Sequence, residues 1–536
     1  MSDSTTTRPS AERRERTLVP YSPDPVTWAS LIVVALGLGI YLRTLLPGVS
    51  FWDTGEAQTV PHTLGIMHPT GFPTYTMLGW LWSQIPIGDV AYRMNAFSAV
   101  CVAVAAGLTV HIGGLLMLVE RSALLKAAAA GIGGGAFAFA SEPWRNAVRA
   151  DVHALHILFA ALIVWLVLCW GAAHRRQSPQ AGRWLAAAAL AFGIGLGNHA
   201  LVGLLAPPIV VWVFWTDRSI WRRWRLVGWC TVMLLAGLSV YLYIPIRSLI
   251  EPAPPLFYAR PNTLERLRYV IFAEQFTGLF HNFTDPLGGI GPKWAKAQSV
   301  LVDQFQGPGW LVVELGLLVT ARRWPAAAVF LSLVAAVNVF YSMNFQDGDI
   351  GRYYMTTVLV AAPVLAVAVG WFARLAASAA WYVGRRLSAP ARGIAATTVA
   401  VVALAAFAAI PAYSVVHLYD ERDNSDDHQA ARWVESVYAV VPRDSVVVTW
   451  WSYSTPLWYH RWVLGERPDV KIIDDRNILD DGYGDVPGAI DAFLGDRPVY
   501  VVANDFTARL VRDRYVTESV GTYPGYTDLL LVVDRR

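Results

Sequence analysis

The stretch FWDTGEAQTVPHTLGIMHPTGFPTY, Phe51 to Tyr75, follows an apolar run at 27–47 and carries Asp53, Glu56, His62 and His68 among prolines and glycines, without a single Lys or Arg. A run of that length is enough to cross a bilayer, which takes ~20 residues, so two acids and two histidines fall where a first span ends. The rest of the chain is equally apolar. Of its 536 residues 55% are hydrophobic and only 15% charged, and the mean hydropathy is +0.39, whereas soluble domains run nearer ~25% charged. This is the composition of a polytopic membrane protein. A formal net charge of +3, with no basic patch interleaved with aromatics outside the loops, argues against a nucleic-acid partner. Cys101, Cys169 and Cys230 are odd in number, lie inside apolar runs and lack metal-ligand spacing, so they read as packing residues. The N-terminal tail MSDSTTTRPSAERRER is polar and basic and does not look like a cleaved signal peptide.

Eleven apolar segments read as helices, near 27–47, 93–118, 124–141, 152–171, 184–198, 201–215, 226–246, 308–320, 325–343, 353–376 and 393–413. Basic residues prefer the cytoplasmic side of a membrane. With the N-terminus inside, the cytoplasmic segments hold nineteen Lys and Arg, while the short opposite loops 48–92, 142–151, 199–200 and 344–352 hold only Arg145, Arg149 and Arg352. This division predicts a basic cytoplasmic tail at 1–26, a membrane domain at 27–415 with outer loops 48–92 and 247–307, and an extracytoplasmic tail domain at 416–536. In the tail, SVVVTWW, VKIID, RPVYVVAND and TDLLLVVDRR read as buried strands and TPLWYHRWVLGE as a helix, a small α/β domain. No Gly-rich phosphate loop follows its first strand, so nucleotide binding is not expected there. The acidic run DERDNSDDH at 420–428 reads as a solvated connector.

Locally, Asp53 and Glu56 have the spacing of a capping box, in which Asp53 caps a helix from Thr54 and Glu56 reaches back to the Asp53 backbone. HPTGFP makes a rigid turn, with Pro73 suited to open the next helix. TYTMLGWLWSQIP is too short to span and predicts an interfacial or re-entrant helix.

WDTGEAQTVPHTLGIMHPTGFPTY, followed by YRMNAFSAV, resembles the opening signature of a bacterial family of membrane proteins, formerly a domain of unknown function. That family is related to an animal membrane protein O-mannosyltransferase (glycosyltransferase family 117-like) and lies within the GT-C superfamily. The similarity continues through RADVHALHILFAALIVWL, GLGNHALVGLLAPP and YLYIPIRS, and more weakly through DGDIGRYYMTTVLV, covering roughly 27–375. The resemblance implies a polytopic helical GT-C fold of about 11 transmembrane helices. It also implies a polyprenyl-phosphate-linked sugar donor, mannose or another hexose, and transfer with inversion to a protein or cell-envelope glycan hydroxyl on the outer face of the plasma membrane. An acid of the first outer loop is the catalytic centre of such enzymes; this maps onto Asp53, with Glu56 as its motif partner.

The residues support that chemistry independently. Attack on an anomeric carbon passes through an oxocarbenium-like transition state, and a carboxylate helps by taking the hydroxyl proton. A lipid phosphate leaves already ionised and needs cations, for which Arg247 and Arg352 are candidates; both also read as interfacial anchors. His68 joins the acids in the loop. Arg149, His153 and His156 are spaced i, i+4 and i+7, one helical face that would bind sugar hydroxyls or phosphate. Asn198 and His199 fit either sugar binding or a tight turn. Asp347 and Asp349 resemble a metal-holding acid pair, but nucleotide sugars are made inside and a turn is the simpler reading. A metal on the i, i+3 pair His153 and His156 would lack an evident third ligand, so a divalent metal is not indicated and no cofactor is assigned. Trp450, Trp451 and Tyr453 would stack on a glycan or pack at an interface. Two other classes compete: a transporter or lipid flippase, against which no ionisable residue stands in mid-span and no inverted repeat is visible, and a noncatalytic envelope scaffold or sensor.

Overall fold

In the computed structural model, which describes residues 24–117, 120–523 and 527–536, the first apolar run is helix α1 (Pro25–Arg43), opened by Asp24, whose side chain accepts from the Thr27 N–H. The basic tail expected at 1–26 lies almost wholly outside the described residues. The chain continues through α2 (Trp52–Thr59), α3 (Pro73–Ser83), α4 (Val90–Leu116), α5 (Ala123–Ala138), α6 (Ser141–Ala147), α7 (Val152–Arg175) and α8 (Ala181–Leu196). After a 3-10 turn come α9 (Ala206–Thr216), α10 (Trp224–Leu238) and α11 (Tyr243–Leu249); α12 (Leu264–Ile271) and α13 (Ile290–Val302) occupy the long loop; α14 (Pro308–Arg323), α15 (Pro325–Asn344), α16 (Met355–Val383) and α17 (Ala389–Arg422) complete the bundle.

Within the described residues each of the eleven apolar segments is built on helix. Among the described residues seven helices are long and apolar enough to cross a membrane, and the bent pair α5 and α6, turned by 66°, makes an eighth; α8 and the segment Ala200–Thr216 are shorter apolar helices. The centre of the bundle is α4, packed by α1, α5 and α7, and α16, packed by α5, α14 and α17. Lipid tails are as apolar as the side chains, so helices in a bilayer associate through close packing of small residues. The Ala- and Gly-rich α5 fills that role between α4 and α16.

The chain then forms a sheet unit: α18 (Gln429–Val440), β1 (Val446–Val448), α19 (Trp451–Trp462), β2 (Lys471–Ile473), α20 (Asp475–Asp480), α21 (Val486–Asp491), β3 (Val499–Ala503), α22 (Asp505–Arg514), β4 (Tyr515–Tyr523) and β5 (Thr527–Arg535). The sheet order is β2-β1-β3-β5-β4, with β1 parallel to β2 and β3, and β5 antiparallel to β3 and β4. The four expected strands and the helix between the first two are present. The fifth, YVTESVGTY, alternates too weakly to be read as a strand. The unit begins later than expected, because α17 continues to Arg422, whose guanidinium is buried against Ser141. What matters for function is where α19 goes: it packs directly on α2.

Candidate active site

The loop between α1 and α2 is shaped by α4. Asn95 donates to the Leu46 carbonyl at 2.8 Å and accepts from Gln58 Nε2 and from the Ala150 N–H, each at 2.8 Å. Gln58 in turn holds the Ser50 N–H and the Gly48 carbonyl at 3.0 Å. Ser98 accepts the Asp151 N–H at 3.0 Å. One turn of α4, within the YRMNAFSAV segment, thus fixes the backbone of both acidic segments. These positioning residues carry no chemical signature of their own.

Asp53 lies in the first turn of α2, where the helix dipole favours an anion. The capping box is not formed: the helix starts at Trp52, its N-cap is Phe51, and Glu56 turns away from the Asp53 backbone. Tertiary partners outbid the local cap. The Asp53 side chain is 44% exposed. Its Oδ2 lies 3.4 Å from Arg352 Nη2, and its Oδ1 accepts from the Trp451 indole N–H at 3.3 Å. Burial raises its pKa, but the His68 and Arg352 cations outweigh burial and the repulsion of Asp151, so the carboxyl is held below its ordinary value.

Glu56 is 1% exposed. Its Oε1 accepts the His68 backbone N–H at 2.8 Å and its Oε2 pairs with His68 Nδ1. Burial pushes Glu56 up, while its carboxylate outweighs burial at His68 and raises that imidazole to about 8. The pair holds one proton at neutral pH, among the rings of Phe72, Phe276 and Trp451 at 5.0–6.0 Å.

Arg352 is the hub of the site. Its side chain is 11% exposed and reaches Asp53 at 3.4 Å, Asp151 at 3.5 Å and Asp347 at 3.7 Å. Asp349 is taken by Arg145 and, at 2.8 Å, by Arg149. Burial raises the Asp349 carboxyl but these guanidiniums outweigh it and hold it low. Gly351 permits the arrangement, because a Cβ there would stand 2.4 Å from Glu142 Oε1, the carboxylate that also holds Arg145. The bend between α5 and α6 brings Arg145 and Arg149 to this loop.

Arg149, expected on one helical face with His153 and His156, instead precedes the helix: α7 starts at Val152, capped by Asp151, which accepts from the His153 N–H at 2.8 Å. An aspartate two residues before a histidine at a helix start was the available signal for this missed acid. Asp151 also pairs with His153 Nδ1 at 2.9 Å. Burial raises Asp151, but His153, Arg352 and Arg149 hold it well below the ordinary carboxylate range.

His153, His156 and His199 face one another, their ring centroids 4.5 Å (His153–His199) and 5.8 Å (His156–His199) apart. Burial, with the other two imidazoles and Arg352 nearby, pushes the His199 imidazole well below its ordinary value. Asn198 donates to the Val152 carbonyl at 3.0 Å. Arg247 is engaged elsewhere, with the carbonyls of Leu64 at 3.0 Å and of Ile250 and Pro252 at 3.4 Å. Among the described residues, the buried Nε of Arg149 and of Arg352, Nε2 of His153 and Oδ1 of Asn198 have no partner within the chain. Buried polar groups of this kind are ordinarily satisfied, so the site has unused hydrogen-bonding capacity. No group of three or more His, Cys, Asp or Glu placed to hold a metal occurs among the described residues; Arg352 stands between the aspartates.

Two cavities adjoin the cluster. One, of about 850 Å³, touches Glu56 and Trp451 and extends beneath the sheet unit. The other, of about 530 Å³, includes Asp347 and the lysines Lys293 and Lys296.

The helical bundle with its charged loop site and C-terminal sheet unit is a fold shared with known membrane proteins. The same fold is seen in ArnT from Cupriavidus metallidurans bound to undecaprenyl phosphate, with a TM-score of 0.57 and 14% identity over 94% of this chain and 98% of that one. Its apo state gives 0.58 and 13%, over 95% and 98%. Residues 53–222 match the family model described as the Protein O-mannosyl-transferase TMEM260 N-terminal domain. Protein O-mannosyl-transferase TMEM260 of Mus musculus is 25% identical over 479 residues, 85% of this chain and 63% of the relative. Its Dictyostelium discoideum counterpart is 26% identical over 219 residues, 38% of this chain and 26% of the relative. The chain, which spans less than two thirds of either relative, thus has the fold of ArnT and is similar in sequence to Protein O-mannosyl-transferase TMEM260, the resemblance that its opening signature carries.

Proposed function

We propose that this protein is an integral membrane glycosyltransferase that moves a sugar, mannose or another hexose, from a polyprenyl-phosphate carrier to a hydroxyl of a protein or cell-envelope glycan on the outer face. Asp53 is its base. The observation that carries this reading is the state of Asp53: partly open and held ionised by His68, Arg352 and Trp451. The O-mannosyltransferase names of the sequence relatives and the undecaprenyl phosphate of the ArnT structure support the class of acceptor chemistry and of donor.

In this reading the acceptor hydroxyl attacks the anomeric carbon from the face opposite the phosphate, its proton passes to Asp53, and the bond from the anomeric carbon to the phosphate oxygen breaks with inversion. The lipid phosphate departs as an anion toward the guanidiniums and the Lys293–Lys296 cavity. Arg352 both keeps Asp53 charged and faces the developing anion. Glu56 acts through His68, placing a positive ring beside Asp53.

The test is transfer of labelled sugar from polyprenyl-phosphate mannose, and from a panel of other lipid-linked sugars, by purified protein in detergent. Replacing Asp53 by Asn is expected to lower the rate by ~10²–10⁴-fold without unfolding the protein. A folded Asp53→Asn protein that transfers at the wild-type rate removes Asp53 from the mechanism.

A further inference from the structure

The larger cavity lies between the membrane bundle and the sheet unit. Its roof is the segment 251–262, clamped to α20 by the Arg260–Asp481 ion pair and by the Ala259 N–H donating to Asp480 Oδ2 at 3.1 Å. Its side walls are aromatic. Trp451, Trp458 and Trp462 project from α19, and Tyr258 comes from the roof, where the Arg476 guanidinium lies 4.9 Å over its ring. Trp451 also donates its indole N–H to the Asp53 carboxylate at 3.3 Å, so one wall residue of the cavity is in direct contact with the proposed base.

The charge of the lining decides what it suits. Seven carboxylates face five Lys and Arg side chains, and the central ones are already paired: Arg476 with Asp480, Arg260 with Asp481. Glu56 is paired with His68, and burial pushes Asp474 up to about 7, so the lining as a whole is close to neutral, whereas the other cavity offers Lys293 and Lys296 to an anionic headgroup. Paired guanidiniums and carboxylates present donors and acceptors side by side, and tryptophan faces cover flat apolar surface. A neutral saccharide has the complementary chemistry: hydroxyls that both donate and accept around the rim of a ring, and an apolar C–H face. A volume of about 850 Å³ falls within the ~300–1,000 Å³ of ligand pockets.

We propose that this cavity binds a neutral oligosaccharide as the acceptor, held between the α19 tryptophans and the 251–262 roof with its reacting hydroxyl passed along Trp451 to Asp53. Its role as acceptor rests on the transferase reading above; its affinity for saccharide does not.

The full-length protein in nanodiscs, without donor, is titrated with mannotriose, maltotriose and triacetylchitotriose, and separately with a Ser/Thr-containing hexapeptide, by saturation-transfer NMR. At least one trisaccharide is expected to bind wild type and Asp53→Asn alike. Its binding is expected to weaken by about tenfold or more in Trp462→Ala, a side chain 41% exposed, and in Arg260→Ala, each with a wild-type melting temperature. Absence of saccharide binding, equal binding by both variants, or binding of the hexapeptide alone with the same sensitivity overturns the proposal, the last in favour of a peptide cleft. Saccharide binding with no transfer from any lipid-linked sugar would instead sink the transferase reading while leaving the saccharide site in place.

Discussion

Arg352 meets three aspartates at 3.4–3.7 Å while its side chain stays 11% exposed, an arrangement that works because no single carboxylate claims it. Asp53 is left with two long contacts and open surface, which suits its proposed role as the base. The Glu56–His68 pair works differently, as a buried shared-proton unit beside that base, and it has a pH signature. His68 is raised from 6.5 to about 8, so its contribution to stability is complete below ~6.5 and lost as pH rises through about 8, with an upper size of about 2 kcal/mol. Burial of Glu56 acts in the same direction. The melting temperature of the purified protein is expected to fall between pH 6 and pH 9, and the fall is expected to flatten in His68→Gln; an unchanged fall in the variant would assign the effect to another group.

At the scale of elements, the contact that builds the site is α2 on α19. A Cβ on Gly55 would lie 2.4 Å from the Ser50 carbonyl oxygen and 2.6 Å from Thr455 Oγ1, so the glycine of WDTGEA sets how closely the two helices approach and whether the Trp451 indole reaches Asp53. Replacing Gly55 by Val is expected to cost ~1–3 kcal/mol through overpacking, seen as a lower melting temperature and faster proteolysis of the 423–428 connector. A variant as stable and protease-resistant as wild type would show that the contact yields easily. The motif's local appearance as a capping box misled because Asp53 and Glu56 both have stronger partners from distant elements.

For the molecule as a whole, the charged cluster, both cavities and the sheet unit lie together, and the arginine-rich loops belong to the other connections of the bundle. The inside-basic pattern predicts that these lie on opposite sides of the membrane. In a cysteine-free background, a membrane-impermeant maleimide applied to intact cells is expected to label Glu435→Cys on exposed α18 and to spare Arg385→Cys between α16 and α17; the reverse labelling would invert the topology. The docking of the two units is anchored beyond α2: Tyr459 of α19 accepts the Ala91 N–H of α4 at 3.0 Å, and the Asn424 N–H donates to the Thr44 carbonyl at 3.1 Å.

Composition and local periodicity determined the class of this protein: the apolar segments, the strands of the tail and the concentration of acids and histidines in the loops all follow from what neighbouring residues impose on one another. Proline placement likewise fixed the start of α3 at Pro73. The sequence also singled out Asp53, His68, His153 and Arg352, which the fold gathers, and Arg247, which it directs to loop carbonyls. It could not assign the partners. Trp451 and Arg352 reach Asp53 across separations of 398 and 299 residues, and nothing in a strand-end tryptophan or a loop arginine specifies so distant a contact. Asp151 escaped selection, and Asp349 was read as part of a turn, for the same reason: a helix cap and a turn explain each of them locally. Their common relation to Arg352 exists only once α4, α7 and the 3-10 turn before α16 are packed, because charge pairing depends on distance through space, which the order of residues along the chain does not contain.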